Sequence, residues 1–324
     1  MPRIPRSGLA VHEERPPSGT DSSRDRGENS SRDLGRRLPG SCPRQSCRSP
    51  LGLMGMNPVA SVFASRELLW NLTLRELRTK YRRSFLGWTW SMLNPLANVA
   101  IYFFVFGVLF DAEAPRGVNS GIHGFAWFLL CALLPWNYWA LINNSGLGAI
   151  SANAGLVRRV AFPREVLVFS TVLHATVQFA IELGLLCVIL LFVGSPFLPW
   201  LPIVLVTVVL LGIFASGFAL ALSALSVYFK DLAYLWGIVL QVWFFATPIV
   251  YNPDLIDEQA PSSIRPVLDN NPMKLVVEIF RDCLYHAQAP KWDSLGIFAI
   301  WAFASLGAGW WAFRHLDRRL AEEV

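Results

Sequence analysis

The chain has 324 residues, of which 53% are hydrophobic, 13% aromatic and 16% charged, and its formal net charge is +5. Soluble domains carry about 25% charged residues, so the composition excludes an ordinary soluble domain and indicates an integral membrane protein. The five cysteines form no CxxC pair and lie near no histidine cluster, so no metal site is predicted.

Residues 1–55 form a polar leader that is rich in Ser, Gly, Pro and Arg. This segment has no apolar periodicity with which to bury a core, and no apolar stretch that would make it a secretory signal. Two interpretations stay open. Translation starts at Met54 or Met56 and the leader is never made, or the leader is a disordered cytoplasmic tail.

Residues 56–87 form the next predicted region, with an amphipathic helix over 59–83. Its apolar residues are spaced by 7, 4, 3 and 4, which places them on one stripe of a helix. This stripe contains Phe63, Trp70, Leu74, Leu77 and Tyr81. The helix either packs on its own protein or lies in the membrane interface, with aromatic residues in the bilayer and arginines at anionic headgroups. The position before the first span favours an interfacial helix, with these contact residues: Trp70, Arg78, Tyr81, Arg82 and Arg83.

Six apolar stretches follow, each near the length of about 20 residues that crosses a bilayer. They run over 88–110, 124–148, 166–193, 201–227, 233–251 and 294–313, and predict an all-α protein with about six transmembrane helices over 88–313. Lys and Arg beside the stretches number thirteen on one side and five on the other. This asymmetry predicts that both termini are cytoplasmic and that 314–324 is a cytoplasmic tail. The outer segment 252–293 contains helical spacing over 272–285, which is too short to span and predicts re-entrant or surface helices.

Aromatic residues lie at mid-depth in the second span, where belt tryptophans are not expected. Trp136 and Trp139 are about 60° apart on a helix, so they are predicted to share a face from which Tyr138 is turned away. Flat aromatic faces stack on sugar rings, so we predict a substrate conduit, and core packing is the alternative. Glu182 is added to the predicted conduit because it is an ionisable group at depth in the third span. It lies on a polar stripe with His174, and it either faces the conduit or pairs with His174 or a neighbouring helix. The predicted conduit residues are Trp136, Trp139, Trp236, Trp243, Phe244 and Glu182.

Two further patterns bear on function. None of the four lysines follows a glycine, so the chain has no Walker A loop and ATP hydrolysis is expected on another polypeptide. Small residues at four-residue spacing permit close helix approach, within one chain or across a dimer. They are Ala215, Ala219 and Ser223 in the fourth span and Ala304, Ala308 and Ala312 in the last.

The most diagnostic stretch is RELRTKYRRSFLGWTWSMLNPL at 75–96. In order there follow the region 136–153, LVRRVAFPRE at 156–165, YFKDL at 228–232, FFATPIVY at 244–251, Asn271-Pro272 and Phe280-Arg281. Over about 60–320 the chain resembles permease subunits of type-2 ABC exporters, which export O-antigen, teichoic acid and related polyprenyl-linked polysaccharides. Each motif alone is weak, and their joint order makes the resemblance specific.

The resemblance implies a multi-pass permease of the bacterial inner membrane, which is not itself an enzyme and binds no cofactor. Its implied partners are an ABC ATPase that holds ATP and Mg, a second copy of the chain, membrane lipids and a lipid-linked polysaccharide; nucleic acid is not expected. It also implies that LVRRVAFPRE docks on the ATPase, through Arg158, Arg159, Phe162, Pro163, Arg164 and Glu165. Ordinary positive flanking charge is the alternative, although a flank needs neither Phe162 nor Pro163.

Two other classes of protein are alternatives to the exporter. A secondary transporter or channel should show a chain of titratable groups within the membrane, and only Glu182 and His174 qualify. A membrane glycosyltransferase using polyprenyl-linked sugars would need an acidic metal-binding pair, for which Asp111 and Glu113 are the candidates.

Overall fold

The computed structural model describes residues 65–81, 103–109, 115–159, 162–252 and 265–323, with isolated positions between 93 and 101. Every regular element among these residues is helical, which confirms the all-α class. The leader 1–55, about half of the predicted first span and the acidic pair at 111 and 113 lie outside the described residues. From the predicted first span, Phe103–Leu109 forms a π-helical turn.

Nine α-helices are described. Their bounds are α1 Arg66–Tyr81, α2 Phe125–Gly148, α3 Ala154–Arg159, α4 Glu165–Val193, α5 Leu201–Tyr228, α6 Leu232–Ala246, α7 Arg265–Asp269, α8 Pro272–Phe280 and α9 Trp292–Glu323. A 3-10 turn at Ser151–Asn153 precedes α3, another at Leu198–Trp200 precedes α5, and a π-helical turn at Arg281–Tyr285 follows α8. The helix predicted within 272–285 is therefore confirmed.

Four of these helices, α2, α4, α5 and α9, are long and apolar enough to cross a membrane. The predicted span at 233–251 ends early, because α6 has 15 residues and stops at Ala246. At about 1.5 Å per residue it reaches roughly 22 Å, short of a hydrocarbon core of about 30 Å. Pro248 disfavours helical backbone at Thr247, which is extended with φ −102° and ψ 129°. The last helix instead continues past the predicted end at 313 into the tail.

The core of the bundle is α2, which is buried along most of its length. It packs against α4 and α5, and α5 packs in turn against α9. A Cβ on Gly309 of α9 would lie 1.9 Å from the carbonyl oxygen of Gly217 on α5, so these helices touch backbone to backbone. A Cβ on Gly146 of α2 would lie 2.7 Å from the Cβ of Ala219 on α5, so these two helices also approach closely. Ala219 thus serves packing within one chain, whereas Ala304 and Ala308 are exposed.

The amphipathic helix α1 packs on its own protein at the start of α4. Leu72 is buried together with Val166 and Leu167. The stripe predicted for this helix is not its packing face, because Trp70 lies on another side and is 55% exposed. Arg78 is exposed as well. The side chain of Tyr81 and all of Arg82 and Arg83 lie outside the described residues, and the interfacial role of this face stays a prediction.

Candidate functional site: the coupling end and the aromatic cluster

One end of the bundle, here the coupling end, is formed by α1, α3 and the first turn of α4. The short helix α3 ends in Arg158 and Arg159, and both side chains are exposed. Phe162 packs against the small apolar cluster between α1 and α4. Pro163 and Arg164 are partly exposed, and Glu165 is buried at the start of α4. The six residues predicted to dock an ATPase therefore divide into an exposed basic pair and an inner part that packs on the chain itself.

Contacts between distant segments hold this end together. Arg75 of α1 donates to the Oδ1 of Asn153, whose Nδ2 donates to the carbonyl oxygen of Ala149 at 2.9 Å. The Nε of Arg314 on α9 lies 3.8 Å from the Oε1 of Glu165. The sequence did not predict either contact. The only signal for the contact with Asn153 was the position of Arg75 in the 75–96 motif. The exposed basic pair is thus carried on a segment tied to α1 and α9.

The aromatic residues of the predicted conduit form one cluster among α2, α5 and α6. Trp139 lies at its centre with no exposed surface. Its ring centroid is 4.8 Å from Trp243, 5.1 Å from Trp136 and 6.0 Å from Trp236. Phe244 belongs to the cluster through its contact with Trp136, with the two ring centroids 5.5 Å apart. Sequence reasoning missed two members on α5, Phe214 and Phe218, which pack against Trp139 at 6.4 and 6.0 Å.

Tyr138 points away from this cluster, toward α4. Its hydroxyl lies 2.8 Å from the Oγ1 of Thr176, and its ring stacks on Phe179 at 4.6 Å. The indole N–H groups of Trp139 and Trp236 are buried and have no hydrogen-bond partner among the described residues. A buried donor without a partner costs free energy, so these two groups would gain from an acceptor. Hydroxyl oxygens of a sugar are acceptors of the required kind.

Glu182 lies apart from the aromatic cluster, on α4. It is 8% exposed and accepts a hydrogen bond from the Nε2 of Gln178 at 3.0 Å. It also lines a small cavity together with apolar side chains, among them Leu130 and Leu134 of α2. The structure therefore does not bring Glu182 together with the five aromatic residues with which it was grouped. Among the described residues, no three His, Cys, Asp or Glu side chains are placed to hold a metal ion.

The opposite end of the bundle, here the cap end, is formed by α7, α8 and residues 281–291. Asn271 caps α8 by accepting from the backbone N–H of Met273 at 3.0 Å. The same Oδ1 accepts from the Nε1 of Trp243 at 2.9 Å, and the Nδ2 donates to the Oγ1 of Thr247 at 3.0 Å. The Asn271-Pro272 motif therefore joins the cap to the end of α6 and to the aromatic cluster.

Arg281 makes the second link between α6 and the cap. Its Nη1 and Nη2 donate to the carbonyl oxygens of Pro248 and Ile249 at 2.6 and 2.7 Å. The guanidinium lies 3.6 Å from the ring centre of Phe128, at the start of α2. Burial lowers the pKa of Arg281 to about 9, which leaves the group charged at neutral pH. Three sequence motifs, FFATPIVY, Asn271-Pro272 and Phe280-Arg281, thus meet at one junction.

Comparison with known protein families identifies the fold. The pattern of the family described as ABC-2 type transporter matches residues 67–285, which is most of the chain. This chain belongs to the ABC-2 transporter family. The motifs that meet at the cap end, and the exposed basic pair of the coupling end, all lie within the matched region.

Relatives of this ABC-2 protein include three curated transport proteins. It is 30% identical over 255 residues to the O-antigen export system permease protein RfbA of Myxococcus xanthus, covering 76% of this chain and 94% of that protein. It is 27% identical to the protein of the same name from Klebsiella pneumoniae, over 79% of this chain and 94% of that one. The polysialic acid transport protein KpsM of Escherichia coli is 29% identical, over 74% of this chain and 89% of that protein.

Proposed function

We propose that this ABC-2 protein is the permease subunit of an ATP-driven exporter that moves a polyprenyl-pyrophosphate-linked polysaccharide from the cytoplasm across the bacterial inner membrane. The observation that carries the proposal is its similarity, over about three quarters of the chain, to O-antigen and polysialic acid export proteins. The substrate class is a polysaccharide of the O-antigen, teichoic acid, galactan or capsule type. Both termini are cytoplasmic, and the coupling end faces the cytoplasm.

ATP and Mg are bound by a separate ABC ATPase that docks at the coupling end. The exposed side chains of Arg158 and Arg159 support this contact, because charged pairs across an interface align partners and exclude wrong ones. The links through Asn153 and Glu165 give the docking segment a connection to α1 and α9. Motion of the ATPase would therefore reach several helices together.

Two copies of the chain form the translocation path. The helix α6 supports a homodimer, since Trp236 is its one buried residue while most of its apolar side chains are exposed. Tyr234, Ile238, Val242 and Phe245 are 58–79% exposed and form one face of the helix. On its other side this short helix contacts the aromatic cluster. A helix with these two sides is suited to line a path between two copies.

The aromatic cluster is the proposed place of sugar contact within that path. The cluster has two indole donors without a partner among the described residues, and several aromatic faces that can stack on sugar rings while the polymer moves. Opening of α6 away from α2 would expose Trp139 and its neighbours. The conduit role of these residues is therefore tied to motion of α6.

Deletion of the gene in its host tests the proposal. We expect surface polysaccharide to disappear and completed lipid-linked polysaccharide to accumulate on the cytoplasmic side, because synthesis continues without export. The measurement is glycan labelling on intact and on permeabilised cells, with the plasmid-borne gene as control. Unchanged surface glycan, with no internal accumulation, would show that the protein exports something else.

A further inference from the structure

The cap end contains a polar cavity that is separate from the aromatic cluster. Its volume is about 650 Å³, within the range of small-molecule sites. It lies between α8, residues 281–291 and the start of α2. Its floor is apolar, with Phe128, Leu275 and Ile279. The charged and titratable side chains that line it are Asp269, Lys274, Glu278, Arg281, Asp282, His286 and Lys291.

The charges around the cavity balance. Three carboxylates face three cations, and burial lowers the pKa of His286, which favours its neutral form. The Nζ of Lys274 lies 2.6 Å from the Oδ1 of Asp269 and 4.0 Å from the Oε1 of Glu278. Burial also raises the pKa of Glu278. With no excess of either sign, the cavity has no electrostatic preference for a strongly anionic or cationic ligand.

Two residues that line this cavity each contain a buried hydrogen-bonding atom with no partner among the described residues. Arg281 is 3% exposed, and its Nε has no hydrogen-bond partner among the described residues although both Nη atoms are bonded. The Nδ1 of His286 is likewise buried without a partner in the described part of the chain. Asp282 accepts from Gln288 at 2.8 Å, and this pair lines the cavity too. The lining of the cavity therefore combines polar side chains with the apolar floor.

We propose that this cavity binds one or two neutral sugar rings of the exported glycan as it leaves the conduit. Sugar hydroxyls both donate and accept, so they match a wall of carboxylates and cations in equal number. The C–H face of a ring matches the apolar floor. The proposal deepens the proposed function and rests on it, because the cap end is outer only if the coupling end is cytoplasmic.

The test measures binding of free neutral disaccharides to the purified full-length protein in lipid nanodiscs. The probes are mannobiose, galactobiose and glucobiose, followed by saturation-transfer NMR titration. Ala289→Trp places a large ring in the cavity, and Glu278→Gln removes one charge while keeping the shape. Val118→Trp is the matched control, because Val118 is exposed and does not line the cavity.

We expect saturable binding of at least one disaccharide to the unaltered protein. Ala289→Trp should weaken it at least tenfold and Glu278→Gln about threefold to tenfold, with Val118→Trp unchanged. The assignment is overturned if no disaccharide binds, or if Val118→Trp loses binding equally. It is also overturned if native mass spectrometry finds a zwitterionic phospholipid that Ala289→Trp alone displaces, since a lipid headgroup is then the occupant.

The two proposals fail in different ways. Loss of disaccharide binding in Ala289→Trp, with surface glycan unaffected by gene deletion, would retain a sugar site but contradict polysaccharide export. Absence of disaccharide binding, with export that depends on the gene, would contradict the cavity assignment alone.

Discussion

Replacing Arg158 and Arg159 together by glutamate is expected to abolish export while the protein stays folded in the membrane. Both side chains are exposed at the end of α3, so their replacement removes no core contact. Reversal of two charges at a docking surface places them opposite like charges of the partner. Such a juxtaposition costs several kcal/mol of binding free energy. The measurement is co-purification of the ATPase with the tagged permease, together with ATP hydrolysis by the complex.

Two controls separate docking from general effects of charge. Arg158→Lys with Arg159→Lys keeps the positive charge and should retain most ATPase binding. Arg116→Glu changes an exposed arginine outside the coupling end and should leave binding unchanged. If the glutamate variant retains both co-purification and stimulated hydrolysis, the basic pair is ordinary flanking charge and the docking surface lies elsewhere.

Trp139→Ala is expected to lower the free energy of unfolding by about 3–5 kcal/mol, because it empties the centre of a buried cluster. Trp139 has no exposed surface and contacts aromatic rings from α2, α5 and α6. The measurement is thermal unfolding of the purified protein in detergent, with protein level in the membrane as a second readout. Trp311→Ala is the matched control, because Trp311 is 71% exposed and its loss should change stability by less than about 0.5 kcal/mol.

Export assays then separate packing from sugar contact. Trp136→Phe keeps an aromatic face beside Phe244 and should retain most export. Trp136→Ala removes it and should slow export partially, since each stacking pair contributes about 1 kcal/mol. A Trp139→Ala protein that unfolds like the unaltered chain would contradict the central packing role seen in the structure.

The positions of three long helices, α2, α4 and α5, followed from apolar length alone. The structure has α2 at Phe125–Gly148 and α4 at Glu165–Val193, within one residue of the predicted stretches. The early end of α6 follows from the Thr247-Pro248 pair, since proline restricts the residue before it. The different directions of Trp139 and Tyr138 follow from the helical angle of about 100° per residue.

Contacts between distant segments could not be predicted in the same way. Leu68 and Leu72 form a second apolar face on α1, and only the presence of α4 decides that this face, not that of Trp70, is the one that packs. Arg281 bonds to carbonyl oxygens more than thirty residues away, which no local spacing reveals. The separation of Glu182 from the aromatic cluster likewise depends on how α4 and α2 meet.

ATP-driven translocation in proteoliposomes that contain the purified permease and its ATPase is the most direct test of the proposed function. Lipid-linked polysaccharide is supplied on the side of the ATPase, and its arrival on the opposite side is measured with a membrane-impermeant glycosidase. We predict arrival that requires ATP and stops when the ATPase carries a substitution that prevents hydrolysis. Arrival at the same rate without ATP would contradict the account, because the chain would then act as a passive channel.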